Sequence, residues 1–298
     1  MKRCSSEEVL IFGCVNGLIY GVYSTTKDIY ICNPITKHTV FVPNPNKLMR
    51  IALAWNPYNP AFGFTIVGAG NDYYDQEYDW EGDNYQSPVP VRFVVYSSKT
   101  GEWRASKNDS EFLAPFGCHL WYPYVFTRGN KVCWCIGKHM LMFDIEEDNA
   151  CLIPLPNNHN NITPFCFSST NSSIDQHGDG ELSYSRMAND GGVVVEIWLL
   201  REESNKFEWV NKYKVNMTMI IEENWHKSGY SQALGGRSCV QLLLYLDAEV
   251  ALFQVTSWDC CRKVFLFNLT TRELKWIDDE ISTGPLFTFV PTLLPCPT

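Results

Sequence analysis

The stretch Val94-Val95-Tyr96-Ser97-Ser98-Lys99-Thr100-Gly101-Glu102-Trp103 decides the fold. It is an apolar strand, a small polar residue, a short turn, and a second strand that opens on Trp. The form recurs: Val193–Leu200 leads to Glu208-Trp209, and Val264–Leu269 leads to Lys275-Trp276. Ile29–Pro43 and Met140–Pro154 share the shape without the Trp. Ile31-Cys32-Asn33 followed by Val40-Phe41-Val42-Pro43 aligns without a gap to Met142-Phe143-Asp144 followed by Cys151-Leu152-Ile153-Pro154. The polar residue has a physical role, because Asn, Asp and Ser side chains bond their own backbone and start turns. Five related hairpins in one chain point to a repeat architecture, in which each unit buries its apolar faces on its neighbours.

Each hairpin is preceded by one or two further strand candidates. Val9–Phe12 and Leu18–Tyr23 flank Asn16-Gly17, a strong hairpin-turn signal. Tyr124–Thr127 and Lys131–Ile136 flank Arg128-Gly129-Asn130, and Val240–Leu246 and Glu249–Val255 flank Asp247-Ala248. The units therefore read as four antiparallel strands each, over Val9–Pro43, Ile51–Ser106, Tyr124–Pro156, Ile162–Val215 and Val240–Asp278. The expected fold is all-β: a β-propeller of four-stranded antiparallel blades, five recognisable and five or six in total. The rival, a β-sandwich, also has many short strands, but they do not repeat in fours with a matching last hairpin. The best helix candidate, Met217–His226, carries β-branched residues and reads equally as strand plus loop. No Pro/Ser/Gly linker divides the chain, so 1–298 is read as a single domain.

The composition is that of a soluble globular protein, 45% hydrophobic and 19% charged, with ten Trp and 14% aromatics. A net charge of −9 argues against a nucleic-acid partner, which needs a basic face. No apolar run reaches membrane-spanning length, and residues 1–8 make a poor secretory signal. The twelve Cys sit mostly inside apolar runs, as small hydrophobes. Reduced thiols in cytosol or nucleus are the expectation. Sequons at Asn108, Asn161, Asn171, Asn216 and Asn268 then carry no meaning, since so short a pattern arises by chance.

Insertions break the regularity, and long loops in a compact fold are usually functional or disordered. The largest within a unit, Asn71–Tyr85, holds Asp72, Asp75, Glu77, Asp79, Glu81 and Asp83 interleaved with Tyr73, Tyr74, Tyr78, Trp80 and Tyr85, and no Lys or Arg. Aromatics dominate recognition hot spots, and an acidic field steers a basic partner. The alternative is a solvated acidic loop. Its spacing fails the calcium-loop pattern. Trp121, Tyr122 and Trp225, in other loops, are weaker partner-binding candidates. Cys133-x-Cys135 shares one strand face, but nothing completes a zinc set, and packing thiols are the favoured reading; Cys260-Cys261 reads as an exposed turn. Trp103, Trp209 and Trp276 are read as packing between blades ahead of lining a ligand site. No nucleophile elbow, phosphate loop or metalloprotease helix occurs, and the His residues form no readable catalytic set. The reading is a protein without catalytic residues, metal or cofactor.

Several segments resemble the F-box-associated domain of plant F-box proteins. Asn16-Gly17-Leu18-Ile19 resembles its opening strand. Cys32-Asn33-Pro34-Ile35-Thr36-Lys37 through Val42-Pro43 resembles its first hairpin. Val95-Tyr96-Ser97-Ser98-Lys99-Thr100-Gly101-Glu102-Trp103-Arg104 resembles its "YSS-TG-WR" signature. Phe143-Asp144-Ile145-Glu146 through Pro154-Leu155-Pro156, and Glu196-Ile197-Trp198 through Glu208-Trp209, follow in the family's order. The likeness runs from about Val9 to Leu294. It implies a kelch-like propeller that captures a target protein for a cullin-based SCF ubiquitin ligase. A Skp-type adaptor would bind only through an F-box. Residues 1–8 hold none, so the chain reads as an excised domain or an F-box-less product. Phe287–Leu294 resembles the family's terminal strand and is expected to pair with Val9–Phe12. A small-molecule or glycan-binding propeller, or a remnant without a partner, are the alternatives.

Overall fold

The computed structural model describes residues 8–45, 48, 51–55, 63–70, 89–107, 112–114, 126–128, 130–136, 139–156, 172–176, 182–188, 194–203, 206–217, 220, 239–245, 249–256 and 262–277. Their strands run as antiparallel meanders. The first sheet is β1 (Val9–Val15), β2 (Leu18–Tyr23), β3 (Ile29–Asn33) and β4 (His38–Val42). The second is β5 (Ile51–Trp55), β6 (Phe64–Gly70), β7 (Val89–Ser97) and β8 (Glu102–Ala105), with β9 (Phe112–Ala114) added beside β7. The third is β10 (Phe126–Arg128), β11 (Lys131–Ile136), β12 (His139–Asp144) and β13 (Asn149–Pro154). The fourth is β14 (Ser172–Gln176), β15 (Leu182–Ala188), β16 (Val194–Glu203) and β17 (Lys206–Asn216). The fifth is β18 (Cys239–Tyr245), β19 (Val250–Thr256), β20 (Arg262–Asn268) and β21 (Leu274–Ile277). The first three sheets fall in one compact unit and the last two in another. The four-strand repeat read from the hairpins is present five times among the described residues. Strand β9 is an addition the sequence reading lacks: three residues are too short to show a period. Of the helix candidate, only Met217 and Ile220 lie within the described residues.

The recurring hairpin has one geometry. Asn33 Oδ1 accepts from the N–H of Ile35 and Thr36, Asp144 Oδ1 from Glu146 and Glu147, and Asn268 Oδ1 from Thr270 and Thr271, at 2.8–3.3 Å. The side chain thus replaces the ladder just where the strand must stop. Four residues on, the chain turns through the left-handed region at Lys37 (φ 58°), Gly101 (φ 71°), Asp148 (φ 53°) and Arg272 (φ 60°). Gly101 N–H donates to Ser97 C=O and Arg272 N–H to Asn268 C=O, both at 2.9 Å. Asn16 (φ 47°) and Gly17 (φ 85°) form the tight turn that an Asn-Gly pair predicts.

Within the first unit the sheets stack face to face. Leu18, Tyr20, Val22, Ile29 and Ile31 of the first sheet pack on Ile51, Leu53, Trp55, Phe64 and Ile66 of the second. The even-numbered residues of β5, Ala52 and Ala54, turn to the other side, with Val67, Phe93 and Val95, and meet Val132, Trp134, Leu141 and Phe143 of the third sheet. Strand β5 is therefore buried throughout, as a strand covered on both faces must be. Phe93 stacks on Phe143 with ring centroids 4.7 Å apart. Each such ring contributes about 1.5–3 kcal/mol by leaving water. In the second unit, Val195, Ile197, Val215 and Met217 of the fourth sheet pack on Ala251, Phe253, Phe265 and Phe267 of the fifth.

The three turn-following Trp residues take different partners. Trp103 donates its Nε1–H to Pro43 C=O at 2.8 Å, joining the second sheet to the end of the first. Trp276 meets Phe265 edge-on in the cluster shared by the fourth and fifth sheets. Trp209 meets Tyr184 of its own sheet. Cys133 is fully buried, as a packing thiol is; the side chain of Cys135 lies outside the described residues.

Candidate partner-binding rim

In a meander, connections alternate between the two ends of a sheet. The turns between first and second strands and between third and fourth strands share one end. That end carries Asn16-Gly17 and the repeated turns over 34–37, 98–101, 145–148 and 269–273. The longest connections, 71–88, 106–125, 155–171 and 217–238, all leave from the opposite end of their own sheets. Asp72, Tyr73, Tyr74, Asp75, Glu77, Tyr78, Asp79, Trp80, Glu81, Asp83 and Tyr85 belong to the first of these, Trp121 and Tyr122 to the second, and Trp225 to the last. All these residues lie outside the described residues, as do Phe287–Leu294, Cys260 and Cys261.

The described residues show how two of these connections are rooted. Strand β6 ends at Gly70, opposite Arg92 of β7. Strand β7 begins three residues earlier, and Val89, Pro90 and Val91 pair instead with Ala114, Leu113 and Phe112 of β9. Val89, which follows the first connection, and Ala114, within the second, are thus paired on neighbouring strands. Sequence reasoning missed this because the pairing joins segments more than twenty residues apart, and the only local signal is the apolar triplet Phe112-Leu113-Ala114.

At the same end of the first sheet, the β2–β3 turn is closed by Lys27 N–H on Tyr23 C=O and Tyr23 N–H on Asp28 C=O, each 3.0 Å. Asn44, which is 5% exposed, spends its whole carboxamide there. Its Nδ2 donates to the C=O of Lys27 and of Leu48, and its Oδ1 accepts from Leu48 N–H, all at 2.9 Å.

Between the second and third sheets, Asp148 accepts from Arg104 Nη1 at 2.9 Å and from Lys107 N–H at 2.8 Å. Burial pushes the Asp148 carboxyl up, but these donors outweigh it and hold the group below the usual aspartate range. Burial pushes the Cys14 thiol up to about 11, against a smaller opposing pull from Gly17 N–H, so it stays a protonated packing group. Among the described residues no three His, Cys, Asp or Glu side chains gather as a metal set, and no helix is long and apolar enough to cross a membrane.

Repeated four-stranded antiparallel blades define a β-propeller. The family model described as "F-box protein At3g26010-like, beta-propeller" matches residues 1–225, and the chain belongs to that family. No curated protein matches the chain. Among solved structures, the chain is similar to the β-propeller domain of the Trilobed protease from Pyrococcus furiosus (11% identity, TM-score 0.42), covering 92% of this chain and 73% of that one. It is similar also to the N-terminal domain of Nup159 (7% identity, TM-score 0.43), covering 88% of this chain and 59% of that one. A puromycin-hydrolysing peptidase from Mycobacterium tuberculosis is a third (10% identity, TM-score 0.41), with 91% of this chain against 38% of that one. The chain thus spans less than two thirds of the second and third, and likenesses this distant say nothing of activity.

Proposed function

We propose that residues 1–298 form the target-recognition domain of an F-box-type adaptor of a cullin-based SCF ubiquitin ligase. The domain does no chemistry. It holds a protein target while a ligase, recruited through an F-box and a Skp-type adaptor, modifies it. The observation that supports this reading is that the connections carrying the aromatic and acidic candidates each leave their own sheet from the end opposite its repeated turn. At the opposite end of the first, third and fifth sheets, the turns after Asn33, Asp144 and Asn268 are short and capped by their own side chains. The target carries a basic surface, to match Asp72, Asp75, Glu77, Asp79, Glu81 and Asp83, and Trp80 with its Tyr neighbours supplies the apolar anchors. The setting is cytosol or nucleus.

The test is quantitative capture of partners from plant extract by the chain and by a variant lacking Asn71–Tyr85, each carrying a grafted F-box. Loss of a distinct partner on deletion, with Skp-type adaptor binding unchanged, supports the reading. Equal recovery of that partner by both proteins sinks it.

A further inference from the structure

Asn44 and Leu48 do more than close a connector. Asn44 grips the β2–β3 turn of the first blade through Lys27 C=O, and its N–H reaches Asp28 Oδ1 at 3.5 Å. The same carboxamide holds both backbone groups of Leu48. The Leu48 side chain then lies over β6 of the second blade at Gly68 and Gly70. A methyl group on Gly68 would overlap Leu48 Cδ1, and one on Gly70 would touch Cδ2 at 3.4 Å. Gly68 thus leaves the space that Leu48 Cδ1 fills, and a methyl group there would push the Leu48 side chain off β6. Gly70 is the last residue before the acidic-aromatic connection.

We propose that Asn44 and Leu48 are positioning residues that staple the β2–β3 turn of the first blade to the root of the 71–88 connection in the second. The staple joins these two elements of neighbouring blades, so that they meet a basic polypeptide at a fixed spacing. Its role in recognition rests on the rim reading above; its mechanical part does not. A rim ordered before binding loses less conformational entropy on capture, which is how such a residue adds affinity without touching the partner. Three links carry the coupling: the saturated carboxamide of Asn44, the pinned backbone of Leu48, and the Leu48 side chain over Gly68. None of the three is an ion pair, so salt leaves the staple intact while it screens the partner's charge.

The experiment has two readouts on the full chain, comparing wild type with Asn44→Ala, Leu48→Ala and Leu48→Met. The first is hydrogen exchange. Both alanine variants are expected to speed exchange over 24–28 and over 68–70 with 89–92 together, by about tenfold, while β11–β13 hold their protection. Leu48→Ala leaves the bonds of Asn44 in place, so it stands as the test even where Asn44→Ala fails to fold. Faster exchange confined to 43–48, or loss of protection in every strand, overturns the staple. The second readout is binding of a lysine-rich peptide as probe, with a variant lacking Asn71–Tyr85 alongside. Weakening by about tenfold in Leu48→Ala, recovered in Leu48→Met, with the deletion abolishing binding, supports the proposal. Abolition by the deletion with unchanged binding by Leu48→Ala overturns it and leaves the rim reading standing. Unchanged binding by the deletion overturns the rim reading, and with it the recognition role of the staple.

Discussion

Arg104 Nη1 stands 2.9 Å from Asp148 Oδ2, and this one ion pair joins the outer strand of the second blade to the last turn of the third. The Asp148 side chain is 7% exposed and that of Arg104 45%, so solvent screens the pair from one side only. Lys107 N–H and Ser106 Oγ complete the latch, at 2.8 Å on the carboxylate and 3.4 Å on the backbone carbonyl. Replacing Asp148 by Asn keeps an acceptor and a residue that tolerates φ 53°, and is expected to cost about 1 kcal/mol in urea unfolding. Ala adds backbone strain, for about 2 kcal/mol in all.

The same group predicts an acid effect. The folded value of Asp148 is lowered relative to the unfolded chain, so its contribution is fully present above the ordinary aspartate range and is lost as pH falls through the lowered value. Between neutrality and about pH 5 its contribution is flat. Below about pH 4, wild-type stability is expected to fall more steeply than that of Asp148→Asn. Parallel curves in that window contradict the assignment.

Trp103 offers a separable test of the seam between the first two blades. Phe in its place keeps a ring against Tyr96, now 5.4 Å away by centroid, but loses the bond to Pro43 C=O. The expected loss is about 0.5–1.5 kcal/mol, read from the urea midpoint. A neutral result would mean that water replaces the indole N–H without cost.

Gly101 isolates backbone strain from packing. Its φ is 71° and nothing lies within 4 Å of an added Cβ. Gly101→Ala therefore meets no clash and should still destabilise by about 1 kcal/mol. The converse changes, Lys37→Gly and Arg272→Gly, sit at the equivalent turn position, and each should stabilise by a similar or smaller amount in thermal melts.

Asn268 tests the turn chemistry itself. Its Oδ1 accepts two backbone N–H groups, so Asn268→Asp should melt near wild type, while Asn268→Ala loses about 1 kcal/mol. If the Asp and Ala variants melt together, the side chain is not what stops β20.

The hairpins were legible because all their information is local. A polar residue, a left-handed residue four places on and an alternating strand lie within one short window, and Asn33, Asp144 and Asn268 behave alike wherever the fold puts them. The strand β9 was not legible, since its pairing to Val89–Val91 depends on a partner far away in the chain. Trp103, Trp209 and Trp276 look equivalent in sequence, yet one bonds a neighbouring blade's carbonyl, one meets its own sheet and one fills a shared core. The candidate residues of 71–85, with Trp121, Tyr122 and Trp225, were legible only as composition, since loop composition shows what a surface offers and not where it stands.

The sequence by itself determined the period of this protein: four strands to a unit, the turns that end them, and the family those units belong to. Turn chemistry acts over four or five residues, so it survives in one dimension. Only the tertiary structure decided which residues tie one blade to the next. Asn16 Nδ2 reaches Trp55 C=O at 2.7 Å, Trp103 reaches Pro43, Arg104 reaches Asp148, and Leu48 fills the space over Gly68. Each of these joins residues some twenty to sixty positions apart. Such contacts follow from how twisted sheets stack, and side-chain direction in a stacked sheet is set by register and bulges that no short window encodes.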